Sequence, residues 1–340
     1  MLCADIGGTK TWLQIARRPA SAGGPEVVFQ RRYVSGRYAD FDTLLAEFLD
    51  AAAQAGVAAP TVACIGVAGP VDTVGAGHQC ARVTNLPWRL DSHALAQRFG
   101  LSRCRLINDF QAAGYGLDAL GADDRLVLQE GRPVAHGPRV VIGAGTGLGQ
   151  ALLVWTRVGQ GGGYYEVLPS EGGHGDFAPA GPLQRELLGF VAARQPRVCV
   201  EDVLSGRGLV NVYRFLADKW PRRASAALAA VLDTDDAPAA ISGAALAPEP
   251  DALASDALDL FVAIYGTQAG NLALTCLASG GVYIAGGIAP RIPSRLQAGG
   301  FMAAFRDKGP MSALMAGIPV TVVLDAQLGL KGAALAAARL

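Results

Sequence analysis

Gly143-Ala144-Gly145-Thr146-Gly147-Leu148-Gly149 follows the apolar run Arg139 to Ile142 and precedes a second run, Gln150 to Val158. Strand, Gly/Thr turn, strand reads as a β-hairpin. The same design opens the chain: Leu2 to Ile6 reads as a strand, Gly7-Gly8-Thr9-Lys10-Thr11 as a turn, and Trp12 to Ala16 as the returning strand. Consecutive glycines let backbone N–H groups converge on an anion, and a threonine hydroxyl adds a donor. Either turn alone reads equally well as a plain tight turn. Two of them, one in each half of the chain, are far more specific. Neither matches GxxxxGK[ST], so neither is a P-loop. Neither is a dinucleotide fingerprint, because a strand rather than a helix follows. Asp5, just before the first turn, is placed to hold Mg²⁺ directly or through water.

Other stretches carry polar groups that could work with such turns. Arg105-Leu106-Ile107 runs as a short strand into Asn108 and Asp109, and the chain then turns helical through Ala112, Ala113 and Leu117. An acid at the carboxyl end of a strand sits where open α/β sheets put their ligands. Asp109 either acts on a ligand there or merely starts the helix, and the two glycine turns shift the balance toward the ligand. Leu168 to Phe177 presents Glu171 and His174 on a Gly-rich loop that cannot sustain a helix. Loops on rigid scaffolds collect binding residues. Metal binding by that pair would need helical spacing and a third ligand, so it is not expected. Glu201 and Asp202 read as acids that favour a helix start. Gly281 to Ala289 is a buried strand running into Gly286-Gly287, where the backbone can pass close to a ligand.

The rest of the chain fills in an α/β pattern. Glu26 to Val34 and Thr61 to Val67 read as strands, and Asp40 to Gln54 as an amphipathic helix. Residues 71 to 88 read as a loop-rich excursion, followed by a short helix capped by Asp91 and closed at Gly100. Gly161-Gly162-Gly163 reads as a flexible turn. Helices are expected from Gly181, up to Trp220, from Asp251 to Ala278 and from Leu328 to Leu340. With 340 residues, two domains are expected. The 29 basic and 29 acidic residues cancel, which argues against nucleic-acid and anionic-membrane partners. None of the six cysteines forms a CxxC pair, so neither a zinc site nor a disulfide framework is expected, and reduced thiols in a cytosolic protein fit better. No basic segment followed by an apolar run opens the chain, so no signal peptide is expected. Asp256, Asp259, Gln268 and Asn271 make the apolar stretch 252 to 278 a buried helix rather than a membrane span.

Six stretches together resemble bacterial glucokinases of the hexokinase/actin-like ATPase superfamily. They are ADIGGTK (4 to 10), RLINDF (105 to 110), GAGTGLG (143 to 149), LPSEGGHGDFAP (168 to 179), VEDVLSGRGLVNVY (200 to 213) and YIAGGIAPR (283 to 291). They occur in family order and cover nearly the whole chain. The resemblance implies two α/β domains of the actin-like ATPase (ribonuclease H-like) type with an interdomain active-site cleft. It assigns residues 1 to 118 to a small domain, joined by the helix 327 to 340, and residues 119 to 326 to a large one. It implies transfer of the γ-phosphoryl group of ATP to the 6-hydroxyl of glucose with Mg²⁺, giving glucose 6-phosphate, in a cytoplasmic homodimer.

Residue by residue, Asp109 matches the family's catalytic base and also touches the sugar. Asn108, Glu171, His174 and Glu201 match ligands of the sugar hydroxyls. Asp5, Gly7, Gly8 and Thr9 match one phosphate motif, and Gly145, Thr146 and Gly147 the other. Gly286 and Gly287 match the adenosine motif. Lys10 stands where the family more often has a small polar residue, Ser170 replaces a usual Gly, and Arg207 a usual Pro. The Cys-rich zinc motif of the related repressor/kinase group is absent. A kinase for another hexose or an amino sugar is the alternative, and polyphosphate is an alternative donor. A non-catalytic sugar sensor fits less well, because it should have lost Asp109 or one of the turns.

Overall fold

Each glycine turn grows out of an apolar strand, and each of those strands is the spine of a sheet. The computed structural model describes residues 1–18, 24–75, 77–159 and 162–340. They divide into two units: Met1–Ala122 with Tyr165–Pro169 and Asp325–Leu340, and Asp123–Tyr164 with Ser170–Leu324.

The first unit holds β1 (Leu2–Ile6), β2 (Lys10–Arg17), β3 (Glu26–Val34), α1 (Phe41–Gln54), β4 (Val62–Val67), β5 (Val71–Gly75), β6 (His78–Arg82), β7 (Arg89–Asp91), α2 (Ser92–Arg98), β8 (Arg103–Asn108) and α3 (Asp109–Gly116). Among the described residues its main sheet runs β3-β2-β1-β4-β8. β1, β2 and β3 are antiparallel, whereas β1, β4 and β8 are parallel. Parallel strands are covered on both faces, which is why Ala63 to Val67 of β4 are all buried. Asp40 caps α1 by accepting the Thr43 N–H at 2.7 Å, and Phe41, Leu44, Leu45 and Phe48 bury its apolar face.

The second unit holds β9 (Arg125–Gln129), β10 (Arg139–Ala144), β11 (Leu148–Val158), β12 (Gly162–Ser170, of which Tyr165–Pro169 groups with the first unit), α4 (Gly181–Ala192), α5 (Gly206–Lys219), α6 (Ala226–Ala229), α7 (Ala237–Leu246), α8 (Ala252–Cys276), β13 (Gly281–Ala285), α9 (Pro293–Gln297), α10 (Gly300–Arg306), α11 (Ser312–Met315) and β14 (Val320–Val323). Its sheet runs β12-β11-β10-β13-β14-β9. α8 is the core helix, with Leu258, Phe261, Ile264 and Tyr265 buried. Its acids stay at the rim, where Asp256 pairs with Arg223 at 2.7 Å and Asp259 with Arg295 at 3.0 Å. Among the described residues no helix is long and apolar enough to cross a membrane.

The chain ends in α12 (Leu328–Ala337), which belongs to the first unit and packs on α3. The two backbones touch: a Cβ at Gly332 would stand 1.8 Å from the Ala112 carbonyl oxygen, so only glycine fits.

Two segments differ from expectation. Residues 71 to 88, expected as loop, contain β5 and β6, which join β7 in a small antiparallel sheet. Those strands are short, β5 mostly exposed and β6 mostly half-buried, so they lack the apolar run or alternation that marks a strand in sequence. β12 is likewise unpredicted, because its glycines read as a turn. Gly162 and Gly163 lie in β12, and Gly161 lies outside the described residues.

Candidate active site

The first unit gathers its polar groups at the carboxyl ends of three parallel strands. Ile6 pairs with Val67, and Val67 with Asn108, so the three lie in one row. At about 4.8 Å per strand, Asn108 stands about 10 Å from Ile6. The turn after β1 is closed by Gly7 N–H donating to the Lys10 carbonyl at 2.9 Å, and the Ser35 hydroxyl donates to the Gly7 carbonyl at 2.9 Å. The Thr84 N–H donates to the Ala68 carbonyl at 2.8 Å, and Ala68 N–H to the Ile6 carbonyl at 2.9 Å. Residues 84 and 85 therefore lie against the turn, where a Cβ at Gly8 would meet the Thr84 carbonyl oxygen at 3.1 Å. Sequence reading passed over Thr84 and Asn85 as site-forming residues. The signal was there in Asn85, a residue type that tolerates the left-handed conformation it adopts (φ 63°).

Asp5 carries the clearest electrostatic signature of this unit. Burial alone pushes its carboxyl up from 3.8 to about 6. α12 closes over it, since a Cβ at Gly329 would lie 2.9 Å from Asp5 Oδ2. Among the described residues no hydrogen bond or ion pair answers its charge. An uncompensated hard oxygen donor is suited to Mg²⁺, which binds through one or two carboxylates plus phosphate oxygens.

Asn108, not Asp109, caps α3: its Oδ1 accepts from Phe110 N at 2.9 Å and Gln111 N at 3.3 Å, while its Nδ2 donates to the Gly69 carbonyl at 3.1 Å. Asp109 is thereby relieved of the capping role that sequence left open for it. It is the first residue of α3, and its Oδ1 accepts the Phe110 N–H at 2.9 Å, which fixes the carboxylate's orientation.

The second unit brings together all of its expected residues but arranges them in two groups. In one, β10 and β13 are parallel with Gly143 opposite Ala285, so the turns that follow them are neighbours. Ile288 N–H donates to the Ala144 carbonyl at 3.1 Å, and Gly286 takes φ +81° with its Cα so close that a Cβ would meet that carbonyl oxygen at 2.6 Å. Gly145 N–H donates to Gly147 carbonyl, and Gly206 N–H to Gly145 carbonyl, both at 2.8 Å. Gly145, Thr146, Gly147, Gly286 and Gly287 thus form one backbone-lined surface.

In the other group, Glu201 Oε2 accepts the Leu148 N–H at 2.9 Å. A side chain at position 147 would displace that carboxylate, since a Cβ there would lie 2.6 Å from the same oxygen. The single helical turn Gly172–His174 sits on the start of β11, where a Cβ at Gly173 would meet the Leu148 carbonyl oxygen at 2.2 Å. Val200 N–H donates to the Gly175 carbonyl at 2.9 Å. Glu171, His174 and Glu201 therefore surround the exit of the glycine turn. Glu201 and Asp202, expected as helix-start acids, lie in a separate turn, and Ser205 caps α5.

Two of the three departures, Ser170 and Arg207, find side-chain partners. Ser170 Oγ accepts the Gly172 N–H at 3.1 Å. Arg207 reaches Asp202 Oδ1 at 2.9 Å and lies 3.8 Å from Glu201 Oε1. Burial works against the Asp202 charge, but hydrogen bonds from the Cys199 amide and thiol and from Gln195 hold its carboxyl below the usual range. Gln150 was missed by sequence reading. It is buried on β11 beside Gly172, and its Nε2 has no hydrogen-bond partner among the described residues. An amide inside an apolar strand was the readable signal.

The glucokinase family model matches residues 2–340. The chain belongs to the glucokinase family. A curated glucokinase from Synechocystis sp. is 42% identical, covering 99% of this glucokinase-family chain and 98% of its own. The crystal structure of a glucokinase from an Antarctic psychrotroph superposes with a TM-score of 0.81 at 31% identity, over 100% of this chain and 98% of that one. A ROK family glucokinase from Streptomyces griseus, crystallised with glucose and AMPPNP, shares the fold at a TM-score of 0.63 and 24% identity, over 100% of this chain and 99% of that one. The glucokinase fold of this chain is thus the actin-like ATPase type, as the resemblance implied.

One cluster lies outside what cysteine spacing can read. His78, Cys80 and Asp91 of the small sheet bring a nitrogen, a sulfur and an oxygen within 4.8 Å of one another. Cysteine spacing does not reveal it because His78 and Cys80 are two residues apart on β6 and Asp91 comes from β7.

Proposed function

We propose that this glucokinase-family chain uses ATP as its donor and transfers the γ-phosphoryl group to the 6-hydroxyl of glucose. The observation that carries the reading is Asp109: an acid at the end of a parallel strand, oriented by its neighbour's N–H, in the same row as a glycine turn. Phosphoryl transfer depends on positioning and charge neutralisation more than on covalent chemistry.

Asp109 accepts the proton of the attacking hydroxyl as general base. Asn108, Glu171, His174 and Glu201 hold the remaining sugar hydroxyls, and hydroxyl-matched polar groups discriminate strongly because an ill-fitting sugar leaves them unsatisfied. Backbone N–H groups at Gly7, Gly8 and Thr9 and at Gly145, Thr146 and Gly147 bind phosphate oxygens. Gly286 and Gly287 let the backbone lie against the adenosine. Asp5 would hold Mg²⁺, directly or through water; the ion supplies charge neutralisation at the transferred group. The relative crystallised with glucose and AMPPNP supports both ligands.

A donor panel (ATP, GTP, polyphosphate) crossed with a sugar panel (glucose, mannose, fructose, glucosamine, N-acetylglucosamine) tests this. The highest kcat/KM is expected for ATP with glucose, and the product is glucose 6-phosphate by NMR. A different best pair would reassign the donor or the sugar.

A further inference from the structure

We propose that His78 Nε2, Cys80 Sγ and Asp91 Oδ2 form a binding site for a thiophilic divalent transition metal, Zn²⁺ above all, on the small sheet of the first unit. Strand geometry assembles it. His78 and Cys80 are two apart on β6 and so share a face. Asp91 of β7 stands directly opposite Cys80 in the antiparallel register. Imidazole nitrogen, thiolate and a single carboxylate oxygen are all ligands that zinc accepts, and a three-ligand site leaves one corner for water.

The distances are close to those a metal would impose. With metal–ligand bonds of about 2.0–2.3 Å, tetrahedral geometry sets ligand atoms about 3.4–3.6 Å apart. Cys80 Sγ lies 3.7 Å from His78 Nε2 and 3.5 Å from Asp91 Oδ2. Only the His78–Asp91 edge, a hydrogen bond of 2.8 Å, would have to open, by about half an ångström. The other groups are already fixed. Asp91 Oδ1 caps α2, accepting from His93 N at 2.9 Å and Ala94 N at 3.0 Å, which leaves Oδ2 for the cluster. The His78 ring stacks on His93 with centroids 4.2 Å apart and planes 10° off parallel.

Coordination expels the Cys80 thiol proton to solvent and requires Nε2 to be the unprotonated nitrogen of His78. Gln79, between the two β6 ligands, points the other way. Its Oε1 accepts the Leu106 N–H of the edge strand β8 at 3.0 Å, two residues before Asn108. A bound ion would therefore brace the strand that ends at Asn108 and leads into Asp109.

Metal-stripped full-length protein titrated with Co²⁺ is expected to develop one equivalent of a sulfur-to-cobalt charge-transfer band, with visible bands of tetrahedral intensity, and Zn²⁺ should displace it. Cys80→Ser should abolish the band. His78→Gln and Asp91→Asn should each weaken Zn²⁺ binding at least about tenfold in competition with a chromophoric chelator. Asp91→Asn keeps a good helix cap, so it folds even if the other variants do not. The proposal is overturned if no band forms, if the band survives Cys80→Ser, or if Asp91→Asn binds Zn²⁺ as tightly as the parent. The hydrogen-bonded triad would then be only a brace for the hairpin.

Discussion

Asp5 and Glu201 are both carboxylates beside a glycine turn, yet their surroundings are opposite. Glu201 accepts the Leu148 N–H at 2.9 Å, and a guanidinium lies 3.8 Å away. Asp5 is partly buried beneath α12 with no answering donor among the described residues, and desolvation pushes its carboxyl up to about 6. A carboxylate already bonded to its own backbone is preorganised to receive neutral hydroxyls. One left without a partner is held ready for a cation, and the fold carries its desolvation as a cost until the cation arrives. Under the proposed function, the second unit supplies ligands for the sugar hydroxyls, and the first supplies the cation's carboxylate and the base.

That contrast fails at once if Asp109 is not the base. Asp109→Asn keeps the size and the Phe110 hydrogen bond but cannot take a proton. We expect turnover to fall by ~10²–10⁴ with glucose affinity largely retained, measured by steady-state kinetics and calorimetry. A variant that keeps more than about a tenth of kcat lies outside that range and would remove Asp109 from the role.

The sugar side is tested by Glu171→Ala and His174→Ala. Each deletes a proposed partner of a sugar hydroxyl and should weaken glucose binding by about 1.5–3 kcal/mol, roughly ten- to a hundredfold, while nucleotide affinity moves little. Calorimetry on each ligand separately decides. Selective loss of nucleotide affinity would put this loop with the phosphate surface instead.

The charge side is tested through pH. Because the folded state holds the Asp5 proton more tightly than the unfolded chain, with the carboxyl raised from 3.8 to about 6, the group's contribution is fully present below about pH 4 and lost as pH rises through about 6. Asp5→Asn should therefore stabilise the ligand-free protein on the order of 2 kcal/mol near neutral pH and by nothing near pH 3.5. It should also lower turnover, because the cation loses its carboxylate. Urea unfolding of parent and variant at the two pH values measures the difference. An equal difference at both would mean that folding leaves the Asp5 carboxyl unshifted, and a destabilising effect near neutral pH that fades near pH 3.5 would mean that Asp5 is paired.

Legibility in the sequence followed physical range. The hairpins, α1 and the parallel strands showed because apolar runs and glycine clusters are local signals, and Asp109 showed because a strand end is a local position. The small sheet of β5, β6 and β7 did not, since its short strands have no apolar period to read. The division of labour at Asn108 and Asp109 turned on which side chain reaches Phe110 and Gly69, and residue type alone does not settle that. The charge contrast of Asp5 and Glu201 depends on a helix more than 300 residues away in one case and on a turn 53 residues away in the other.

Arg207 offers the finest test of the contrast. The resemblance implies a usual proline at this position, so Arg207 is not expected to be essential to the chemistry, yet it lies near Glu201. Two accounts of how Glu201 is held are then in competition: the Leu148 amide, or the Arg207 charge. The guanidinium's contact with Glu201 is long, at 3.8 Å, and its side chain is 64% exposed, so solvent screens it. Its closer partner is Asp202, at 2.9 Å, which other donors also satisfy. Exposed ion pairs contribute about 0–1 kcal/mol, so Arg207→Ala should raise the KM for glucose less than about fivefold and leave kcat unchanged. The amide contact needs its own control. Gly147→Ala would drive a methyl to 2.6 Å from Glu201 Oε2 and should displace the carboxylate, with a larger rise in KM. If Arg207→Ala proves the more damaging of the two, Glu201 is held by charge rather than by backbone, and the two carboxylates differ less than their surroundings suggest.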